Sequence, residues 1–142
     1  MLYFDTSALV PLVVPEPSSP SVELWVGRQK SRRLAMSAWT TTEFESALGM
    51  KTRTRVLTPD EAKDARTELR RHMRRSFAVL DVSRAEFDLA GDLLLRFDLG
   101  LRAGDALHPA IARNAGADAI VTLDRRVADA AKQLGWGCEV PG

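Results

Sequence analysis

Short apolar runs alternate with longer stretches of helical period along the whole chain, and this rhythm leaves few folds open. Residues 2–5, 34–38, 77–82, 119–123 and 137–140 read as strands. They are too short for core helices, and 119–123 is apolar almost throughout, as in a strand covered on both faces. Residues 6–13 read as a short helix stopped by Pro15 and Pro17. Ser19-Pro20 sets a cap and a first-turn proline ahead of Val22, Trp25 and Val26 at helical spacing. A helix over 40–55 carries Phe44, Ala47, Leu48 and Lys51 in step. Thr58-Pro59-Asp60-Glu61 combines cap, proline and capping-box glutamate, and starts a helix running to about residue 75. Ser83 and Glu86 form a second capping box, followed by the stripe Ala90, Leu93, Leu94 and Phe97. Gly104-Asp105 begins a helix with Leu107, Ala110 and Ile111 inward. Val127, Ala130, Ala131 and Leu134 mark the last helix, which Gly135 ends. Strands alternating with helices in this way predict an α/β fold with a mainly parallel central sheet of about five strands.

At 142 residues, with 45% apolar and 27% charged residues, the chain supports one core. A single domain over residues 1–142 is expected, and a disordered tail or a collagen-like fibre is excluded. The lone cysteine, Cys138, excludes an internal disulfide and a multi-cysteine zinc site; it reads as a small buried apolar residue in a reducing compartment. The longest apolar stretch, 8–14, contains Pro11 and is far too short for ~30 Å of hydrocarbon. Met1-Leu2-Tyr3-Phe4 has no basic flank and is interrupted by Asp5, so no secretory segment is read. The expectation is a soluble cytoplasmic protein without membrane contact. The net charge of +1 is unevenly spread: residues 1–75 carry 13 Lys/Arg against 9 Asp/Glu, and residues 76–142 carry 7 against 10. Such a split can set a cation-binding site beside a polyanion-binding surface. No P-loop, HExxH or GxGxxG is present, which removes nucleotide-hydrolysing, zinc-protease and dinucleotide readings.

Four acids fall at comparable places. Asp5 closes the first strand and Asp124 the fourth; Glu43 opens the helix after the second strand, and Asp105 opens the helix before the fourth. In an open parallel sheet the carboxyl edge of the strands forms the ligand crevice. Carboxylates gathered there repel by ~4 kcal/mol per pair at ~4 Å and an effective dielectric of ~20. A hard divalent cation relieves that repulsion. Mg²⁺ takes oxygen ligands, keeps waters and suits phosphate chemistry, where it lowers the pKa of water and offsets charge on a leaving oxygen. The same residues also read as helix caps, each worth ~1 kcal/mol. Asp5 can cap the helix from Thr6, Thr40 and Glu43 can form a capping box, and Asp105 and Asp124 can be N-caps. Residue types and spacing leave both readings open.

The motifs around these acids resemble a known family. Leu2-Tyr3-Phe4-Asp5-Thr6-Ser7-Ala8-Leu9-Val10 is similar to the opening of PIN-domain ribonucleases, and Thr42-Glu43-Phe44-Glu45-Ser46-Ala47-Leu48 to their second acidic motif. Arg102-Ala103-Gly104-Asp105-Ala106-Leu107-His108 resembles the third, and Ile120-Val121-Thr122-Leu123-Asp124 the fourth. Their order, their intervals of 38, 62 and 19 residues and the chain length suit the compact VapC-type toxins of type II toxin–antitoxin systems. The resemblance implies a three-layer α/β/α fold and cleavage of RNA dependent on Mg²⁺ or Mn²⁺. It implies frequent homodimers and inhibition by a small cognate antitoxin. It makes Asp5, Glu43, Asp105 and Asp124 the acidic, metal-binding and catalytic site. Asp5 and Asp105 are expected closest to the metal, Glu43 and Asp124 to act through water or to orient the nucleophile. Ser7 and Thr122 can add hydroxyl contacts at the rim. Pro109 departs from the family's usual leucine-like residue. With Asp105 as N-cap, it removes only the first helical hydrogen bond and crowds the Asp105 carbonyl.

Further residues carry two readings each. Lys63, Arg66, Arg70 and Arg74 form one helical stripe, widened by Arg71 and Arg75; Arg28, Lys30, Arg32 and Arg33 form a second basic group. Either is a phosphate-tracking surface or a set of solvated cations favoured near helix C-termini. His108 lies one turn after Asp105 and either faces the crevice or is satisfied by a neighbour, and His72 is expected to be exposed. Trp25, Trp39 and Trp136 either stack on bases or fill cores and contacts. Two function classes follow: a metal-dependent endoribonuclease toxin, and a non-catalytic RNA- or partner-binding module on the same scaffold. A phosphoacceptor domain fits poorly, because Asp5 has no acidic neighbour and Lys132 falls within a helix.

Overall fold

Leu2 and Phe4 leave the first strand toward one side and Tyr3 toward the other, and this two-residue period sorts the whole molecule into layers. The computed structural model describes the backbone of residues 1–142 and every side chain except those of His72 and Arg74. The expected exposure of His72 and the place of Arg74 in the basic stripe therefore lie outside the described residues. In chain order the elements are β1 (Leu2–Phe4), α1 (Thr6–Leu9), α2 (Ser19–Gly27), β2 (Leu34–Ser37), α3 (Ala38–Arg53) and α4 (Pro59–Glu68). They continue with α5 (Arg74–Ser76), β3 (Phe77–Leu80), α6 (Arg84–Leu95), α7 (Ala103–Asn114), β4 (Ala119–Val121), α8 (Arg125–Gln133) and β5 (Cys138–Glu139).

The five strands form one all-parallel sheet in the order β3-β2-β1-β4-β5, with Leu2 aligned to Leu34 on one side and to Ala119 on the other. Leu2, Phe4, Ala119 and Val121 bury against Ala8 and Leu9 of α1, Phe44 and Leu48 of α3, and Ala65 of α4. Tyr3 and Ile120 bury on the opposite face against Ala90 and Leu93 of α6, Ala106 to Ile111 of α7, and Val127 and Ala130 of α8. The result is the three-layer α/β/α arrangement. The chain builds outward from β1 to β3, then returns to lay β4 beside β1. The strand order therefore reverses between β1 and β4, where doubly wound sheets open a crevice at the carboxyl edge.

Several local details differ from the sequence reading. The helix expected from Thr40 begins at Ala38, directly off β2, because Ser37 caps it. Ser37 Oγ accepts from the Thr40 N–H at 3.2 Å, and Thr40 Oγ1 accepts from the Ser37 N–H at 3.2 Å. The capping box is Ser37–Thr40, one turn earlier than Thr40–Glu43, so Glu43 sits on the second turn of α3. Likewise α7 is capped at Arg102, and Asp105 is its third residue. Pro109 is consequently inside the helix and not in its first turn; the Asp105 carbonyl loses its helical donor there. The helix expected to run to residue 75 contains a π turn over Leu69–Met73 between α4 and α5. Steps of four overshoot an α-helical turn by about 40°. The wider turn takes part of that back and keeps Ala65, Leu69 and Met73 on the buried side.

Ring and ion-pair contacts place Trp25 and Arg32. Trp25 packs edge-on to Phe4 at 6.1 Å, and Phe77 does so at 5.0 Å, so Trp25 belongs to the core. Arg32 pairs with Glu139 at 2.6 Å and with Asp118 at 3.6 Å. The 28–33 segment leads into β2 at its amino end, across the sheet from the Asp5 edge. Cys138 is half-buried in β5, more open than the sequence suggests. Among the described residues no helix is long and apolar enough to cross a membrane.

Candidate active site

Asp5 follows β1 at the point where strand order reverses, and it is only 2% exposed. Its Oδ1 accepts from the Ala8 N–H at 3.2 Å, which caps α1, and from Ser7 Oγ at 2.6 Å. Its Oδ2 accepts from Thr122 Oγ1 at 2.5 Å, just beyond β4. Burial raises the Asp5 pKa, against the lowering effect of the His108 imidazole and of these hydrogen bonds. Ser7 Oγ also takes the N–H groups of Leu123 and Asp124, at 2.8 and 3.1 Å, so one hydroxyl ties the β1 end to the β4 end. Ser7 and Thr122 thus hold Asp5 directly.

Glu43 reaches the same edge from α3. Its Oε2 accepts from Thr6 Oγ1 at 2.5 Å and from His108 Nε2 at 2.6 Å. Burial alone raises the Glu43 pKa, but the hydrogen bond and charge of His108, with the Thr6 hydroxyl, outweigh it and hold the pKa below the usual glutamate value. Trp39 Nε1 is buried, has no partner in hydrogen-bond geometry and lies beside Glu43, close enough to favour its charged form. His108, 3% exposed, bonds the Tyr3 hydroxyl through Nδ1 at 2.9 Å. That hydroxyl also meets Ser37 Oγ at 2.9 Å and Thr40 Oγ1 at 3.3 Å.

The other two acids turn toward their own helices. Asp105 Oδ2 accepts from the Arg102 N–H at 3.4 Å, and Asp124 Oδ1 caps α8 by accepting from the Arg126 N–H at 2.7 Å. The structure therefore links Asp5 and Glu43 through neighbouring residues, and sets Asp105 and Asp124 on helix starts at the same edge. Among the described residues, no three His, Cys, Asp or Glu side chains are gathered closely enough to hold a metal ion in this side-chain arrangement.

Residues 2–133 match the family model described as the PIN domain. The chain belongs to the PIN domain family. Ribonuclease VapC46 of Mycobacterium tuberculosis is 34% identical over 145 residues, covering 99% of this chain and 97% of that protein. Ribonuclease VapC35 of the same species is 30% identical over 147 residues, covering 100% of this chain and 98% of that protein. Among solved structures, FitAcB from Neisseria gonorrhoeae superposes with a TM-score of 0.76 at 17% identity, covering 99% and 98% of the two chains. That structural likeness bears on the fold.

In this PIN domain, the chemistry of the donor set fits a hard divalent cation. The groups at the edge are carboxylate and hydroxyl oxygens, and both nitrogens of His108 are engaged by protein. Among the described residues, no Lys or Arg is ion-paired with any of the four acids. The PIN domain's sequence signals do not reveal Tyr3 or Thr6 as members of the site. Tyr3 is detectable as the polar residue on the opposite face of β1 from Leu2 and Phe4, and Thr6 as the hydroxyl following Asp5. His108 satisfies both of its sequence readings: it faces the acids and is fully partnered.

Proposed function

We propose that this PIN domain, one nuclease domain over residues 1–142, is a Mg²⁺- or Mn²⁺-dependent endoribonuclease. It acts in the cytoplasm as the toxin of a type II toxin–antitoxin system, restrained by a small cognate antitoxin and paired with a second copy of itself. The observation that carries the reading is Asp5. A buried carboxylate at the crevice of a doubly wound sheet, bonded by hydroxyls and a backbone N–H, is a ligand for a cation the protein itself does not supply. Relatives named as ribonucleases along nearly the full length of both chains support the substrate class.

Asp5, Glu43, Asp105 and Asp124 are the residues that would hold the ion. Asp105 and Asp124 would turn to it from the single backbone hydrogen bonds they now accept at their helix starts. When bound, such an ion lowers the pKa of water and offsets charge on a leaving oxygen. Ser7 and Thr122 fix both oxygens of Asp5, so its orientation is set before RNA arrives. The reaction adds the oxygen of water to phosphorus and breaks the bond to the 3′-oxygen, which leaves with a proton. The products carry a 5′-phosphate and a 3′-hydroxyl.

Purified protein should cut RNA with Mg²⁺ or Mn²⁺ and stop in EDTA, and Asp5→Asn should abolish cutting. Cleavage that persists in EDTA overturns metal dependence. Growth arrest and RNA binding that survive both Asp5→Asn and Asp105→Asn would instead favour the non-catalytic module. The basic stripe behind that alternative is partly engaged: Arg66 and Arg70 both bond Glu45 Oε1, at 2.7 and 3.2 Å.

A further inference from the structure

Both side-chain hydrogen bonds that reach Glu43 in good geometry fall on one oxygen, and the Trp39 indole N–H lies beside the carboxylate without such geometry. Oε2 takes both the Thr6 hydroxyl and His108 Nε2, while Oε1 lies beside the first turn of α7, where a Cβ on Gly104 would approach it to 3.0 Å. A carboxylate can only accept, so His108 Nε2 carries the hydrogen of the 2.6 Å contact. In the neutral ring Nδ1 accepts from the Tyr3 hydroxyl, whose oxygen then receives Ser37 Oγ–H; in the charged ring Nδ1 donates to that oxygen, and Nε2 donates to Glu43 in both. One connected chain of hydrogen bonds, Ser37, Tyr3, His108 and Glu43, runs from the cap of α3 across β1 and α7 and back to α3. Every member except Glu43 is buried. Such a chain, buried as far as Glu43, fixes the imidazole ring and through it the carboxylate.

Resting on the ribonuclease reading, we propose that Tyr3 and His108 are positioning residues for Glu43. They commit Oε2 to the protein and present Oε1, beside Gly104, to the divalent cation. The absent side chain of Gly104 is part of the arrangement. Oε1 is the end of a flexible side chain, but with Oε2 held twice it cannot swing aside freely. Tyr3 and His108 touch neither RNA nor the ion; they act through Glu43.

Mn²⁺ binding to the RNA-free full chain, followed by isothermal titration and by electron paramagnetic resonance, tests this. His108→Leu keeps the volume and loses the donor, and is expected to fold and to bind Mn²⁺ on the order of 10-fold more weakly or worse. His108→Gln places an N–H within reach of Oε2 and should retain most of the affinity. Wild-type affinity in His108→Leu overturns the proposal, as does an equal loss in the Leu and Gln variants, which would mean that shape alone matters. Should His108→Leu fail to fold, long-range ¹⁵N spectra of the wild-type imidazole decide the question. Hydrogen on Nε2, with Nδ1 bare or protonated, and an Nδ1 shift that moves in Tyr3→Phe, support it; hydrogen on Nδ1 alone overturns it. If the wild type binds no Mn²⁺, the ribonuclease reading fails, and the same spectra still decide whether His108 holds Glu43.

Discussion

Asp5 is both the cap of α1 and the centre of the candidate site, so its two sequence readings describe one residue. The cap uses Oδ1, and the Thr122 hydroxyl holds Oδ2. Burial raises its pKa in the folded protein. An unfolded Asp ionises near ~3.9, so above that pH the unfolded chain has released a proton that the folded chain still favours keeping. The Asp5 contribution to stability is thus fully present below the unfolded pKa and is lost as pH rises toward the folded value. Asp5→Asn in metal-free protein should therefore melt higher than wild type at pH 7, with the gap closing toward pH 4, while RNA cleavage disappears. Thermal melts in EDTA across that range check it; a variant less stable than wild type at pH 7 contradicts it. Stability and activity pull apart here because the group that the site needs charged is one that the fold prefers neutral. The order and spacing of the four acids put Asp5, Glu43, Asp105 and Asp124 forward as candidates in the sequence. The partners of Glu43 are not legible there, because the Tyr3–His108 contact spans 105 residues and no local pattern encodes it.

The elements are legible where local chemistry decides them and illegible where tertiary contacts do. Thr58 and Ser83 announce their helices with complete capping boxes, and both boxes form. The start of α3 is hidden because 34–38 reads as one apolar run, which places Ser37 inside the strand. Ser37 is in fact the last residue of β2, paired with Leu80 of β3, and at the same time the cap of α3. The start of α7 is hidden for a similar reason. Asp105 is the residue type that caps helices, yet Arg102 occupies the cap and Asp105 reaches back to its N–H. The caps at Thr58 and Ser37 differ in what depends on them. Thr58 is an exposed cap, so Thr58→Ala should cost about 1 kcal/mol. Ser37 is fully buried and also bonds the Tyr3 hydroxyl, so Ser37→Ala should cost about 2 kcal/mol or more. Urea titration of both variants checks the ranking. Equal losses would mean that the buried hydroxyl chain adds nothing to the cap.

Across the whole molecule, the basic first half of the sequence is engaged in part by acids. Arg66 and Arg70 bond Glu45, and the Arg66 hydrogen bond first, with the charges of both arginines, holds the Glu45 pKa below the usual glutamate value against the raising effect of desolvation. Arg32 reaches Asp118 and Glu139 of the acidic half. The carboxyl edge instead carries Arg125 and Arg126, exposed on the first turn of α8 directly after Asp124. That position opposes the helix macrodipole, which disfavours a positive charge at an N-terminus by about 0.3–1 kcal/mol. Two arginines there cost some local stability beside the acids, which fits the RNA-binding edge of the proposed function. Replacing both with alanine in the non-cleaving Asp5→Asn background should raise the melting temperature slightly. The same change should weaken RNA binding and flatten its salt dependence, by about 0.7 in log–log slope for each single-strand phosphate left without its arginine. Arg32→Ala should do the reverse, lowering stability and leaving RNA affinity alone. Filter binding at several salt concentrations, paired with thermal melts, separates the two patterns. RNA affinity and salt slope unchanged in the Arg125/Arg126 variant would show that the nucleic acid approaches the acids from another side of the sheet.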